Sequence, residues 1–144
     1  MLDKDGPQIQ FHFQHKGDLK DRRKLKTFLG SIFKKEGCRL GSLHFIFCSD
    51  KALLAINREF LGHDYYTDII TFNLAENSKV EGEIYISLDR VRENARNLEE
   101  PLYVELHRVI FHGVLHLCGY GDKTGKEIKL MREKESKYLS VYFG

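Results

Sequence analysis

The sequence predicts an α+β fold in a single compact domain over residues 1–144, with about four strands in one mixed sheet and about five helices around a central metal-binding helix. Three observations predict it. Segments with a two-residue apolar alternation are interleaved with segments whose apolar residues recur every three or four positions. Residues 102–118 are apolar nearly all round, and a helix of that kind must be covered on several sides. A chain of 144 residues, 42% hydrophobic, can enclose one real core with no excess length for a second.

The elements follow in order. Ile9, Phe11 and Phe13 alternate with Gln10, His12 and Gln14, which predicts a half-buried strand with His12 and His15 on the solvent side or at the strand end. Leu25, Phe28, Leu29, Ile32 and Phe33 fall at helical spacing opposite a basic face, and this helix ends near Gly37. Residues 43–47 form a short, mainly apolar strand consistent with burial on both faces, with His44 turned to a sheet neighbour. Ser49 or Asp50 can cap a helix carrying Leu53, Ile56, Asn57 and Phe60. A polar and aromatic loop, 62–67, leads into a strand at 69–72, and a turn-rich link, 75–82, precedes a strand at 84–87; these two strands can pair as a hairpin. Ser87 caps a helix with Leu88, Val91, Ala95 and Leu98, and Pro101 suits the first turn of the helix 102–118. Ile128, Met131, Glu135, Tyr138 and Tyr142 trace one face of a final helix.

The chemistry is concentrated between His112 and Asp122. Two histidines four residues apart share a helix face, and a carboxylate six residues past the second can swing back after a turn marked by Gly119 and Gly121. Neutral imidazoles and an ionised carboxylate suit Zn²⁺, and three protein ligands with one open position describe a catalytic site better than a structural one. The apolar surroundings strengthen the case, because an unpartnered imidazole at the edge of a core is costly and a metal would satisfy it. Asp122 has a competing role as a helix cap, but Thr124 with Glu127 already spells a capping box for the last helix. Gly113 stands where the H-E-x-x-H zinc proteases carry their general base, which disfavours that mechanism. Cys118 lies about 200° round the helix from His116 and packs as a small apolar group in preference to binding metal. Glu105 and His107 precede the pair on the same helix and are left out of the site, His107 because helical phase turns it from the ligand face.

Composition narrows the class. No apolar run approaches the roughly 18 residues of a membrane span, and the start, MLDKDGPQIQ, lacks the layout of a signal peptide, so the expected location is cytoplasmic. Cys38, Cys48 and Cys118 are an odd set without C-x-x-C spacing, which points to reduced thiols. The net charge of +2 is uninformative, but residues 16–39 hold nine basic against three acidic side chains, a face attractive to a phosphate backbone or simply the solvated side of an amphipathic helix.

The run His112 to Asp122 resembles the signature H-G-x-L-H-L-x-G-Y-D-H of the bacterial YbeY family of metal-dependent endoribonucleases, which mature ribosomal RNA. Asn57, Phe60, Gly62, Asp64, Thr67, Asp68 and Phe72, in NREFLGHDYYTDIITF, resemble the family's second block, L-N-x-x-Y-R-G-x-D-x-P-T-D-V-L-S-F. Gly82, Ile84, Ile86 and Ser87 resemble its G-D-I-x-I-S strand, so the likeness covers roughly residues 49–122.

The resemblance implies hydrolysis of single-stranded RNA by one bound metal, in maturation of the 16S 3′ end and ribosome quality control, with rRNA and the small ribosomal subunit as partners. It carries two departures. The family's third histidine falls on Asp122, which lowers the net charge of a Zn²⁺ site from about +2 to about +1 and weakens the ion as a Lewis acid. The family's arginine falls on Leu61, with Arg58 and His63 the nearest substitutes. Asp68 and Asp64 are candidates to orient a histidine or the attacking water from outside the ligand set. Two other classes stay open at this point: a ribosome assembly or binding factor with a structural metal, and a metal-dependent hydrolase of peptides or amides.

Overall fold

Four segments, β1 (Gln8–Phe13), β2 (Leu40–Cys48), β3 (Ile69–Asn73) and β4 (Val80–Ser87), pair into one sheet of order β1-β2-β4-β3 in the computed structural model, which describes residues 8–144. β1 pairs parallel to β2 and β2 parallel to β4, while β3 and β4 form the expected antiparallel hairpin, with Ile69 opposite Ile86. The sheet is therefore mixed. Most of the opening segment read above for a leader, residues 1–7, lies outside the described residues.

Among the described residues five helices complete the fold: α1 (Arg22–Lys35), α2 (Asp50–Leu61), α3 (Leu88–Leu98), α4 (Leu102–Leu117) and α5 (Gly125–Phe143). Their starts are written in the sequence. Ser49 Oγ accepts the Ala52 N–H and Ser87 Oγ accepts the Arg90 N–H, each at 3.1 Å, satisfying amides that the first turn of a helix leaves without partners.

α4 is central, as its all-round apolar character requires. It lies against β3 and β4 and is flanked by α1, α3 and α5. Ile110, Phe111, Val114 and Leu115 are fully enclosed with Phe45, Phe47, Ile84 and Ile86 of the sheet. On the opposite sheet face, α2 covers a smaller cluster of Cys48, Leu53 and Ile70. Gly113 sets how closely α4 approaches the sheet: a Cβ there would stand 2.8 Å from Ile69 Cδ1 and 3.0 Å from Ile84 Cδ1. The position that carries the base in H-E-x-x-H proteases thus faces packed side chains and has no room for a glutamate.

Several expectations shift. β4 begins at Val80, inside the segment read as a link, because Val80, Gly82, Ile84 and Ile86 all face the core. Gly82 hides that alternation: it has no side chain to register as apolar, and Leu117 fills its place, 2.7 Å from where a Cβ would stand. Pro101 is the N-cap of α4 and not a residue of its first turn. Ile128 and Leu98 continue apolar stripes past the layer that covers them and are exposed. His12 and His44 stack on the sheet, Nε2 to Nδ1 at 3.0 Å, and His15 Nε2 pairs with Asp89 Oδ1 at 3.0 Å. All three cysteines are free thiols, with Cys118 packed against the core.

Candidate metal centre and cleft

The end of α4 builds the centre. Gly119 adopts φ 100, a left-handed conformation that costs glycine little, and the chain closes in a Schellman turn: the Gly119 N–H returns to His116 O at 3.0 Å and the Tyr120 N–H to Leu115 O at 3.0 Å. The chain beyond then doubles back. Asp122 Oδ2 stands 3.1 Å from His116 Nε2 and 3.3 Å from His112 Nε2. Asp122 does not cap α5, because Thr124 and Glu127 form the capping box, the Thr124 N–H donating to Glu127 Oε1 at 3.0 Å and the Glu127 N–H to Thr124 Oγ1 at 3.1 Å. Gly121 contributes by its size, since a Cβ there would collide with the Glu127 carboxylate.

Each imidazole is held from behind. His112 Nδ1 donates to Glu135 Oε2 at 2.6 Å, and His116 Nδ1 donates to the Tyr120 carbonyl at 2.8 Å. With both protons committed outward, both Nε2 lone pairs are directed at the point where Asp122 converges. Burial alone would lower the His112 pKa, but the Glu135, Asp68 and Asp122 carboxylates outweigh it and hold it above the ordinary histidine value. Tyr120 is itself tied down. Its hydroxyl, the Tyr138 hydroxyl and Lys134 Nζ all donate to Glu36 at the end of α1, and against the upward pull of burial these contacts keep the Glu36 carboxyl below its usual range.

The donor set suits a divalent cation. One atom each from His112, His116 and Asp122 lies within 4.8 Å of the others. A tetrahedral ion bonded at about 2.0–2.1 Å to such donors spaces them about 3.3 Å apart, close to the two Asp122 separations. These residues could hold a metal ion, and they open onto a cleft of about 840 Å³.

Asp68 and Asn94 lie on the cleft wall, where Asn94 Nδ2 donates to Asp68 Oδ2 at 3.2 Å. Burial raises the Asp68 pKa, the nearby His112 opposing the rise without cancelling it. Asp64 is not with it: it is exposed and paired with Arg58 at the surface, so neither joins the cleft, whereas His63 and Leu61 do line it. Among the cations that line the cleft, Arg108 is mostly buried and surrounded by Glu100, Glu105 and Glu135 at 3.4–3.7 Å, so it is already neutralised. Arg132 is largely exposed and pairs with Glu135 at 3.4 Å, and Lys123 stands beside Asp122. None of the basic residues between 16 and 39 lines the cleft.

The sequence profile described as Endoribonuclease YbeY matches residues 10–142, which include every residue of the cleft. The chain belongs to the Endoribonuclease YbeY family. An Endoribonuclease YbeY of Cytophaga hutchinsonii is 52% identical over 124 residues, covering 85% of this chain and 87% of that protein. Another, from Phocaeicola vulgatus, is 51% identical over 105 residues, covering 73% and 76%. The solution structure of a Thermotoga maritima protein superposes with a TM-score of 0.64 at 34% identity, over 96% of this chain and 90% of that one.

Within this family member, sequence reasoning gives no role to two acidic residues of the cleft. Glu135 falls on the mainly apolar face of the last helix, and a carboxylate in that register, here 1% exposed, needs a partner. Glu105, set aside above, is buried on the cleft wall beside Arg108, its pKa raised chiefly by burial. His107 is buried away from the cleft, Nδ1 donating to the Tyr103 carbonyl at 2.7 Å. No described helix is long and apolar enough to cross a membrane.

Proposed function

We propose that the chain is one hydrolase domain over residues 1–144 that cleaves phosphodiester bonds in single-stranded RNA, with His112, His116 and Asp122 holding a Zn²⁺ ion. Its substrate is ribosomal RNA of the small subunit, at the 16S 3′ end, in cytoplasmic ribosome maturation and quality control. One observation carries the reading: three converging donors, two of them oriented from behind by Glu135 and the Tyr120 carbonyl, open onto a cleft large enough for a nucleotide strand. The names of the relatives support the RNA substrate.

When bound, the ion supplies Lewis acidity at a phosphoryl oxygen and makes a coordinated water more acidic. The chain's own residues do the rest. Glu135 and Tyr120 keep each Nδ1 protonated and each Nε2 free. The histidine tautomers being fixed by those groups, Asp68 is left to orient water from the cleft wall, where burial raises its pKa. Arg132 and Lys123 are the cationic side chains open to a phosphate, in place of the arginine that Leu61 replaces.

The test measures metal content and cleavage of single-stranded and duplex RNA for wild type and for His112→Ala, His116→Ala and Asp122→Ala. Metal-dependent cleavage of the single strand, lost with metal in all three variants, is expected. Full activity in variants that bind no metal, or cleavage of peptides with indifference to RNA, would overturn the proposal.

A further inference from the structure

The loop 62–67 presents aromatic rings to the cleft from a fixed backbone. Asn57, 1% exposed within α2, holds it at two points: its carbonyl accepts the His63 N–H at 3.1 Å, and its Nδ2 donates to the Tyr65 carbonyl at 2.9 Å. The two side chains then brace each other. The His63 and Tyr65 rings stack with centroids 5.1 Å apart and planes 21° from parallel, and the Tyr65 hydroxyl hydrogen-bonds His63 Nδ1 at 2.9 Å. Both line the same cleft as His112, His116 and Asp122, yet Tyr65 stays 54% exposed. A buried amide thus holds in place an aromatic side chain that the fold itself leaves half uncovered.

We propose that Tyr65, backed by His63, is the stacking platform for one unpaired base of the RNA strand, a subsite that rests on the endoribonuclease reading above. An aromatic face binds any base at small entropic cost and without sequence preference. The cleft is chemically complementary to such a ligand, with the ring pair on one wall for a base and Arg132 and Lys123 available to its phosphates. Single strands follow as the preferred form, because bases in a duplex are already stacked on their neighbours and cannot lie flat on the tyrosine.

The experiment uses the metal-loaded full chain and short fluorescent oligoribonucleotides in which one abasic position is moved along the strand. Tyr65→Ala is expected to raise KM on the order of 10-fold with little change in kcat, while Tyr65→Phe, which keeps the ring, stays near wild type. One abasic position should weaken wild type by a similar factor and have no further effect on Tyr65→Ala. An unchanged KM in Tyr65→Ala, equal losses in Ala and Phe, or equal sensitivity of wild type and Tyr65→Ala to abasic sites at every position would overturn the subsite. If wild type cleaves none of these strands, the endoribonuclease reading fails. The platform is then judged by fluorescence anisotropy with the same strands, where the same pattern of weakening is expected and its absence overturns the platform too.

Discussion

Glu135 of α5 and His112 of α4 are joined by a 2.6 Å hydrogen bond in which a carboxylate with 1% exposure holds the outer nitrogen of an imidazole. The last helix is therefore part of the candidate metal centre, although it offers no donor to it.

Replacing that carboxylate should loosen the metal without removing a ligand. Glu135→Gln keeps an acceptor but loses the charge, and a 10- to 100-fold loss of metal affinity is expected, on the order of other groups that orient metal-bound histidines. Glu135→Ala should also lower the melting temperature, because Arg108 and Arg132 lose a shared partner. Metal titration and thermal melts of the apo and loaded protein check both outcomes.

Asp122 separates a three-donor site from a two-donor one. Asp122→Ala should lose most of its metal on dialysis, whereas Asp122→His should retain it with the net charge of the site raised by about one. Elemental analysis after dialysis decides the first point, and the pH profile of cleavage the second, where the histidine variant should become active at lower pH.

Gly113 tests the packing of α4 on the sheet. Gly113→Ala places a methyl 2.8 Å from Ile69 and 3.0 Å from Ile84 and should destabilise the fold by about 1–3 kcal/mol. Gly113→Glu should not fold. Chemical denaturation of the alanine variant gives the magnitude.

Glu36 makes stability depend on pH. Its carboxyl is held below the ordinary glutamate value of about 4.3, so its contribution is present above that value and is lost as pH falls through the folded-state value. Glu36→Gln should cost about 1.5–3 kcal/mol at neutral pH, the scale of hydrogen bonds to a charged group. Stability curves of wild type and variant should converge on acidification below pH about 4.3 and stay parallel between pH 6 and 8.

Much of this was legible beforehand, for physical reasons. Periodicity exposed β1, α1 and α4 because their buried positions carry large apolar side chains, and Ser49, Ser87 and Thr124 announced helix starts through cap chemistry that acts within four residues. His112, His116 and Asp122 were readable together because one helix end and one turn connect them. Relations between distant segments were not readable. Nothing local ties Glu135 to His112, Glu36 to Tyr120, or the Asn57 amide to the Tyr65 carbonyl as a brace on a loop. Gly82 misleads for a related reason, since it matters for the neighbour that occupies its missing side chain.

The dependence of His112 on α5 also orders events during synthesis. A partial chain that stops short of α5 already carries both imidazoles and Asp122, yet has no carboxylate to keep the first imidazole in register. The two imidazoles, Asp122 and the carboxylate behind them thus come together only when the final helix has docked on α4.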